Sequence, residues 1–277
     1  MSTSIGFFTR LTITCKNADE QGGMWMLAAQ RRDLLLERLV ADGRVVAKDL
    51  ATELGISEDS IRRDLRELAA AGLCQRVYGG ALPISPAVAD YSTRETVAVD
   101  SKTVVAGLAA SLVRPGSAVI LDGGTTARAV VAALPLTLEA TVITHSPTIA
   151  AALVEHRGIE IFLIGGRVFR HSMVASGAAA VEAAQAVSAD LFLLGVTGVH
   201  PEAGLTTGDA DEAAMKRALS RRAAETYVLA SAEKLGTASR FSVLPLHEVA
   251  GVVTDAPAGH RTVRELHGAG VPVIGPS

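Results

Sequence analysis

Seven short β-branched runs, SAVIL, ATVIT, IEIFLI, DLFLLG, TYVLA, VAGVV and VPVIG, alternate through the second part of the chain with helix-forming runs. The helical runs include SKTVVAGLAASL, SPTIAAALVEH, AAAVEAAQAV and DEAAMKRALSRRAAE. Such alternation predicts an α/β fold, a mostly parallel sheet covered by helices, because parallel neighbours are joined by crossovers that lie on the faces of the sheet. Ligands of open sheets of this kind collect beyond the carboxyl ends of the strands. A chain of 277 residues, 49% hydrophobic, has room for this domain and a second one.

The second domain lies upstream, where the pattern changes. LAAQRRDLLLERLVA is a strong helix former that stops at Gly43. VVAKDLATELG follows as a short second helix ending at Gly55. Ser57 then stands where a helix N-cap is wanted, with Glu58 and Asp59 complementing the positive end of a third helix. Gly72 closes that helix, and LCQRVYGGA supplies a small β segment. Three helices and a small hairpin make a winged helix-turn-helix over residues 27–81. Residues 1–26 read as a tail, with Met24 or Met26 as an alternative translation start. Residues 82–98, with Pro83 and Pro86 and little periodicity, read as a linker to a domain over residues 99–277.

Charge has to be judged face by face. The formal charge is −3, and residues 30–81 carry as many acids as bases, so the whole molecule does not attract nucleic acid. On the third helix, however, Ile61, Leu65 and Leu68 form an apolar stripe while Arg62, Arg63 and Arg66 fall with Asp59 on the other side. Arginine there can make bidentate bonds to guanine, with Asp59 or Ser60 at base edges or phosphate, and Arg76 and the other arginines on phosphates. Alternatively, Arg62 and Arg66 pair with Glu58 and Glu67 on a solvated helix, worth only tenths of a kcal/mol. The helix-turn-helix setting and Arg76 favour double-stranded DNA.

A second constellation follows the strands. DGGTTA, from Asp122 to Ala127, runs straight into a helix, where small residues let backbone N–H groups approach an anion and Thr125 and Thr126 add hydroxyls. Comparable strand-end positions hold Thr144, His145 and Ser146, then Gly165, Gly166 and Arg167, then GLTTGDADEAAMK with Glu212 and Lys216, and finally Lys234. Any one glycine turn is ordinary loop punctuation. The coincidence of five points to a ligand site.

Other chemistry finds no foothold. There is no GxSxG elbow, HExxH pair or Walker loop, and the scattered histidines show no ligand spacing, so neither metal nor cofactor is expected. Cys15 and Cys74 are far apart and outside any CxxC pattern, consistent with a reducing cytoplasm. No apolar run approaches the roughly 18 residues of a membrane span.

The segments ISEDSIRRDLRELAAAGLCQRVYGGA, LDGGTT, VITHS, IGGRV, GLTTGDADEAAMKRA and LASAEKLG together closely resemble the DeoR family of bacterial transcription regulators, from about Gln30 to the C-terminus. The resemblance implies a winged helix that binds operator DNA through Ser57, Asp59, Ser60, Arg62, Arg63, Arg66, Arg76 and Tyr78. It also implies a sensor domain similar in fold to ribose-5-phosphate isomerase. The implied effector is a phosphorylated sugar, its phosphate held by Gly124, Thr125 and Thr126. Its polyol would meet Asp122, Glu212, Lys216 and Lys234, with His145, Gly165, Gly166 and Arg167 nearby. His145, Ser231 and Tyr78 stand where the family usually has Asn, Asp and His. A homo-oligomeric repressor, dimer or tetramer, is the implied function. The alternative is an isomerase-like enzyme with an appended winged helix.

Overall fold

The computed structural model describes residues 26–85, 87 and 90–276. The tail expected over residues 1–26 lies outside them but for Met26, as does Cys15.

The first helices are α1 (Ala28–Asp42), α2 (Ala47–Leu54) and α3 (Glu58–Ala70). They close on Leu35, Leu39, Leu50, Ile61, Leu65 and Leu68. A three-stranded sheet completes the winged helix, with β1 (Val45–Val46), β2 (Gln75–Val77) and β3 (Gly80–Leu82) in the order β1-β3-β2. Val45 and Val46 thus pair with Ala81 and Gly80 instead of opening the second helix as the sequence suggested. The backbone of β3 offers them ladder bonds, and their branched side chains suit the pleat.

Residues 82–98, expected as a featureless linker, contain α4 (Tyr91–Thr96), capped by the Asp90 carboxylate accepting from the Thr93 amide at 2.8 Å. Then come α5 (Val99–Ala110), β4 (Ala118–Leu121), α6 (Thr125–Ala133), β5 (Ala140–Thr144), α7 (Pro147–Ala152) and β6 (Ile159–Leu163). A hairpin of β7 (Arg167–Phe169) and β8 (Val174–Ser176) leads through α8 (Ala178–Ala184) to β9 (Ala189–Gly195). After β10 (Gly198–His200) and β11 (Gly204–Thr207) come α9 (Ala210–Ser220) and β12 (Ala223–Leu229). The chain closes with β13 (Phe241–Leu244), β14 (Gly251–Val253), α10 (Arg261–Gly268) and β15 (Val273–Ile274).

The seven strands read from the sequence form one sheet, β15-β14-β12-β9-β4-β5-β6, and every pairing in it is parallel. Central strands are covered on both faces: in β9, Leu191 and Leu193 enter the core under α5, α6 and α7, while Phe192 and Leu194 enter the one under α8, α9 and α10. That double burial is why DLFLLG is an unbroken apolar run. The chain builds outward from β4 to β5 and β6, then returns to β4's other side at β9. The gap between the carboxyl ends of β4 and β9 is therefore a topological switch point, where open sheets bind ligands. The small sheet β10-β11-β13 and the β7-β8 hairpin were not legible in the sequence.

Candidate functional site

Two surfaces carry the chemistry. On α3 the Ser57 hydroxyl accepts from the Ser60 amide at 3.3 Å, and the two hydroxyls lie 2.9 Å apart, so both serines serve the cap. The inward face includes one acid, Asp64, only 2% exposed. Arg31 of α1 grips it through a two-pronged ion pair, and the Asp64 carboxylate draws the guanidinium pKa upward. Sequence reading missed this pair, though RRD facing RRDLRE across two helices is its only trace.

The outward face carries Asp59, Arg62, Arg63 and Arg66, all exposed. Arg62 Nη2 lies 2.7 Å from Glu58 Oε1, as the solvated-helix alternative anticipates. Glu67 instead pairs with Arg32. Among the described residues, no carboxylate lies within ion-pair distance of Arg63, Arg66 or Arg76. Tyr78 stands fully exposed at the tip of the wing, and Arg62, Arg76 and Tyr78 line one groove between α3 and the hairpin. Four guanidinium groups and an aromatic ring thus face outward from α3 and the wing, the elements a winged helix-turn-helix presents to a duplex.

The second surface is a cavity of about 210 Å³ at the switch point. Its floor is the turn after β4. Gly123 has no room for a side chain: a Cβ there would meet Val174 Cγ1 at 2.2 Å. Gly124 takes φ +103° and caps α6 without a side chain, so the amides of the first turn face the cavity with Thr125 and Thr126. Amides at such a helix end are anion donors.

Cations surround this turn. Lys234, in a tight turn after β12, is 7% exposed, and its ammonium has the Thr126 hydroxyl at 3.4 Å. Burial, with Arg94, Lys102 and Lys216 nearby, lowers its pKa to about 8. Arg94 of α4 projects into the same space; its Nη2 donates to the His171 carbonyl at 2.9 Å, while its buried Nε has no partner. Burial lowers the Arg94 pKa as well. Lys102 lines the wall and donates to the carbonyls of Arg94 and Val97. The wall acids are Glu212, which accepts from the Thr207 hydroxyl at 2.7 Å, and Glu233. Four cations against two carboxylates make the cavity receptive to an anion.

Behind the wall sits Asp122, wholly buried. It accepts from the amides of Gly123 and Gly195, each at 2.8 Å, from Lys216 Nζ at 2.5 Å, and contacts His145 Nε2 at 2.8 Å. Burial alone would raise its pKa, but Lys216 and then His145 outweigh it and hold the carboxyl well below the usual range. His145 Nδ1 meets the Ala175 carbonyl at 2.8 Å.

Six of the eleven residues expected at the ligand site therefore converge on the cavity: Gly124, Thr125, Thr126, Glu212, Lys216 and Lys234. Asp122 and His145 do not line it, because protein donors and acceptors saturate them from behind. Gly165, Gly166 and Arg167 follow the edge strand β6 and do not line the cavity: Gly166 lies against Ala175 and Ala180, and Arg167 pairs with Asp211 at 3.1 Å on the surface. Arg94, Lys102, Thr197, Thr207, His171 and Glu233 were missed. Only their position in the fold brings them together.

A winged helix joined to a doubly wound domain with a cationic switch-point cavity defines a DNA-binding regulator with a sensor module. Residues 31–87 match the DeoR-like helix-turn-helix domain, and residues 97–256 the DeoR C terminal sensor domain. The HTH-type transcriptional regulator GlpR of Haloferax volcanii is 33% identical over 90% of this chain and 98% of its own length. The HTH-type transcriptional repressor GlcR of Bacillus subtilis is 32% identical over 83% of this chain and 89% of its own. Among solved structures, ribose 5-phosphate isomerase A of Methanocaldococcus jannaschii overlaps 49% of this chain and 54% of its own at 20% identity and a TM-score of 0.37. The fold assignment rests on the strand order and the family match, not on that overlap. The chain belongs to the DeoR family of helix-turn-helix transcription regulators, and the appended-enzyme alternative falls with that membership. Among the described residues, no helix is long and apolar enough to cross a membrane.

Proposed function

We infer that this regulator is a cytoplasmic repressor of sugar-metabolism genes whose hold on operator DNA is controlled by a phosphorylated sugar bound at the switch point. The supporting observation is convergence: the uncapped end of α6, the buried ammonium of Lys234 and the guanidinium of Arg94 all face one cavity sized for a small metabolite. A phosphate supplies the acceptors these donors lack, and the hydroxyls and carboxylates of Thr207, Glu212 and Glu233 suit a polyol. The name of the repressor relative GlcR favours repression.

The operator contacts fall to Arg63, Arg66, Arg76 and Tyr78, with Arg62 released from Glu58 on docking, and Asp59 beside the N-terminal turn. A homo-oligomer, dimer or tetramer, would set two recognition helices on two half-sites. Control requires that the ligand bind the DNA-competent and incompetent states with different affinity, since equal affinity shifts nothing. The test is a thermal-shift screen of phosphorylated sugars beside their free parents. A rise in midpoint confined to the phosphorylated members supports the reading, and no rise with any of them overturns it.

A further inference from the structure

The segment between the winged helix and the sensor domain reaches the cavity itself. Beyond Leu82, the last residue of the wing, Ile84 bridges to Ala238, shortly after Lys234 in the chain. Ala87 and Val97 line the cavity, and Arg94 enters it from α4. This short helix is held in place at both ends. Asp90 caps its start, and Lys102 of α5 binds its closing carbonyls, where a cation also meets the negative helix end. Glu95 pairs with Arg128 of α6.

Arg94 is the unusual member. Its guanidinium is largely desolvated, yet Nε is buried without a partner and Nη2 spends its bond on a carbonyl. A Cβ on Gly124 would lie 3.8 Å from Nη1, so the guanidinium stands directly over the uncapped start of α6. A buried donor left unmade is costly, and a guanidinium fork matches two oxygens of a phosphate. Lys234 and the α6 amides approach the same space from the sensor domain. The phosphate position is thus bounded by both the sensor domain and the connector.

We propose that Arg94 contacts the anionic group of the effector directly, so that the connector between wing and sensor is itself part of the binding site and carries occupancy to the DNA-reading domain. This rests on the effector reading above. With the anion bound, the fork of Arg94 is satisfied and α4 is clamped to α6. Without it, α4 keeps its contacts with Thr148, His171, Lys102 and Arg128. The two states differ at the root of the wing, which is where operator binding must feel the difference.

The test compares the full chain with Arg94→Gln and Arg94→Lys. Thermal midpoints are recorded with ribose 5-phosphate, glucose 6-phosphate, fructose 6-phosphate and glycerol 3-phosphate, each beside its unphosphorylated parent. The most stabilising phosphate is then titrated into complexes with duplex DNA selected from a random pool by the unsubstituted protein. The expected result is that Arg94→Gln weakens the phosphate by about tenfold or more and Arg94→Lys, which keeps charge but not the fork, by less. Both variants should need correspondingly more ligand than the unsubstituted protein to change binding of the selected duplex, each measured against its own ligand-free affinity. A purely structural role would instead lower the ligand-free midpoint and leave ligand affinity alone; should Arg94→Gln fail to fold, Arg94→Lys carries the comparison. Undiminished affinity in a folded variant overturns the Arg94 assignment and leaves the effector reading standing. Weakened affinity with an unchanged DNA response overturns the coupling. No response of the unsubstituted protein to any phosphate overturns both readings.

Discussion

Lys216 Nζ lies 2.5 Å from Asp122 Oδ2, with both side chains buried, so α9 is joined to the turn after β4 by one ion pair beneath the cavity wall. Removing one partner strands a charge where water cannot reach it. Lys216→Met should therefore cost about 3 to 5 kcal/mol, measured by urea unfolding of the sensor transition. A loss under about 1 kcal/mol would show that the pair is solvated in solution.

The same pair sets the acid limb of stability. The folded Asp122 carboxyl titrates below its ordinary value of 3.8, so the unfolded chain takes up protons first as pH falls. Its stabilising contribution is complete above that value and is lost as pH descends toward the folded pKa. Thermal midpoints across the acid range should drop below about pH 4, and Asp122→Asn should flatten that drop.

Lys234 gives the same slope at the alkaline end, although at neutral pH its lowered pKa is a cost to the fold where that of Asp122 is a gain. The folded Lys234 pKa is lowered from 10.5 to about 8, so the ligand-free fold gains stability as pH rises between those values. An anionic effector needs the charged form, and its affinity should fall above about pH 8, by at most about tenfold per pH unit. Calorimetric titrations on either side of pH 8 check this, and Lys234→Met should abolish the dependence.

On α3 the free arginines should matter more than the paired one. Arg63→Ala and Arg66→Ala should each weaken operator binding and, where the contact is to phosphate, reduce the salt slope by about 1. Arg62→Ala should do less unless Arg62 leaves Glu58 for a base edge, in which case the loss is about 1 to 3 kcal/mol with relaxed selectivity at one position. Fluorescence anisotropy over a range of salt concentrations separates the two cases.

The glycines of the turn should fail differently. Gly123→Ala forces Val174 and Ser146 apart, because its Cβ would sit 2.2 Å from Val174 Cγ1. Gly124→Ala meets the Arg94 Nη1 at an ordinary contact distance of 3.8 Å but takes a strained φ of +103°, at about 1 to 3 kcal/mol. Both should lower the midpoint of the sensor domain in calorimetry.

What could be read from the sequence follows from how each element is encoded. All seven strands of the parallel sheet announced themselves as short apolar, mostly β-branched runs, which burial on both faces demands of the central strands and pairing favours at the edges β6 and β15. Ser57 announced α3 because a cap is a local device. Val45–Val46 did not, since two residues have no period and only β3 makes them a strand. Nor did the end of α9 at Ser220, because RRAAE suits a helix until β9 recruits it as β12. IGGR looks as good a ligand turn as DGGTT, and only the fold shows that the second lines the cavity and the first does not. Arg94 lies in a stretch without periodicity, so its arrival at the cavity depends on packing between distant segments.

The two-pronged grip of Arg31 on Asp64 ties the rotational setting of α3 to α1. Aim and outward display are therefore separable in this domain: inward residues such as Asp64 fix how the helix is pointed, while the outward ones leave that setting untouched. Exchanges at the exposed Arg63 or Arg66 need not retune the fold that presents them.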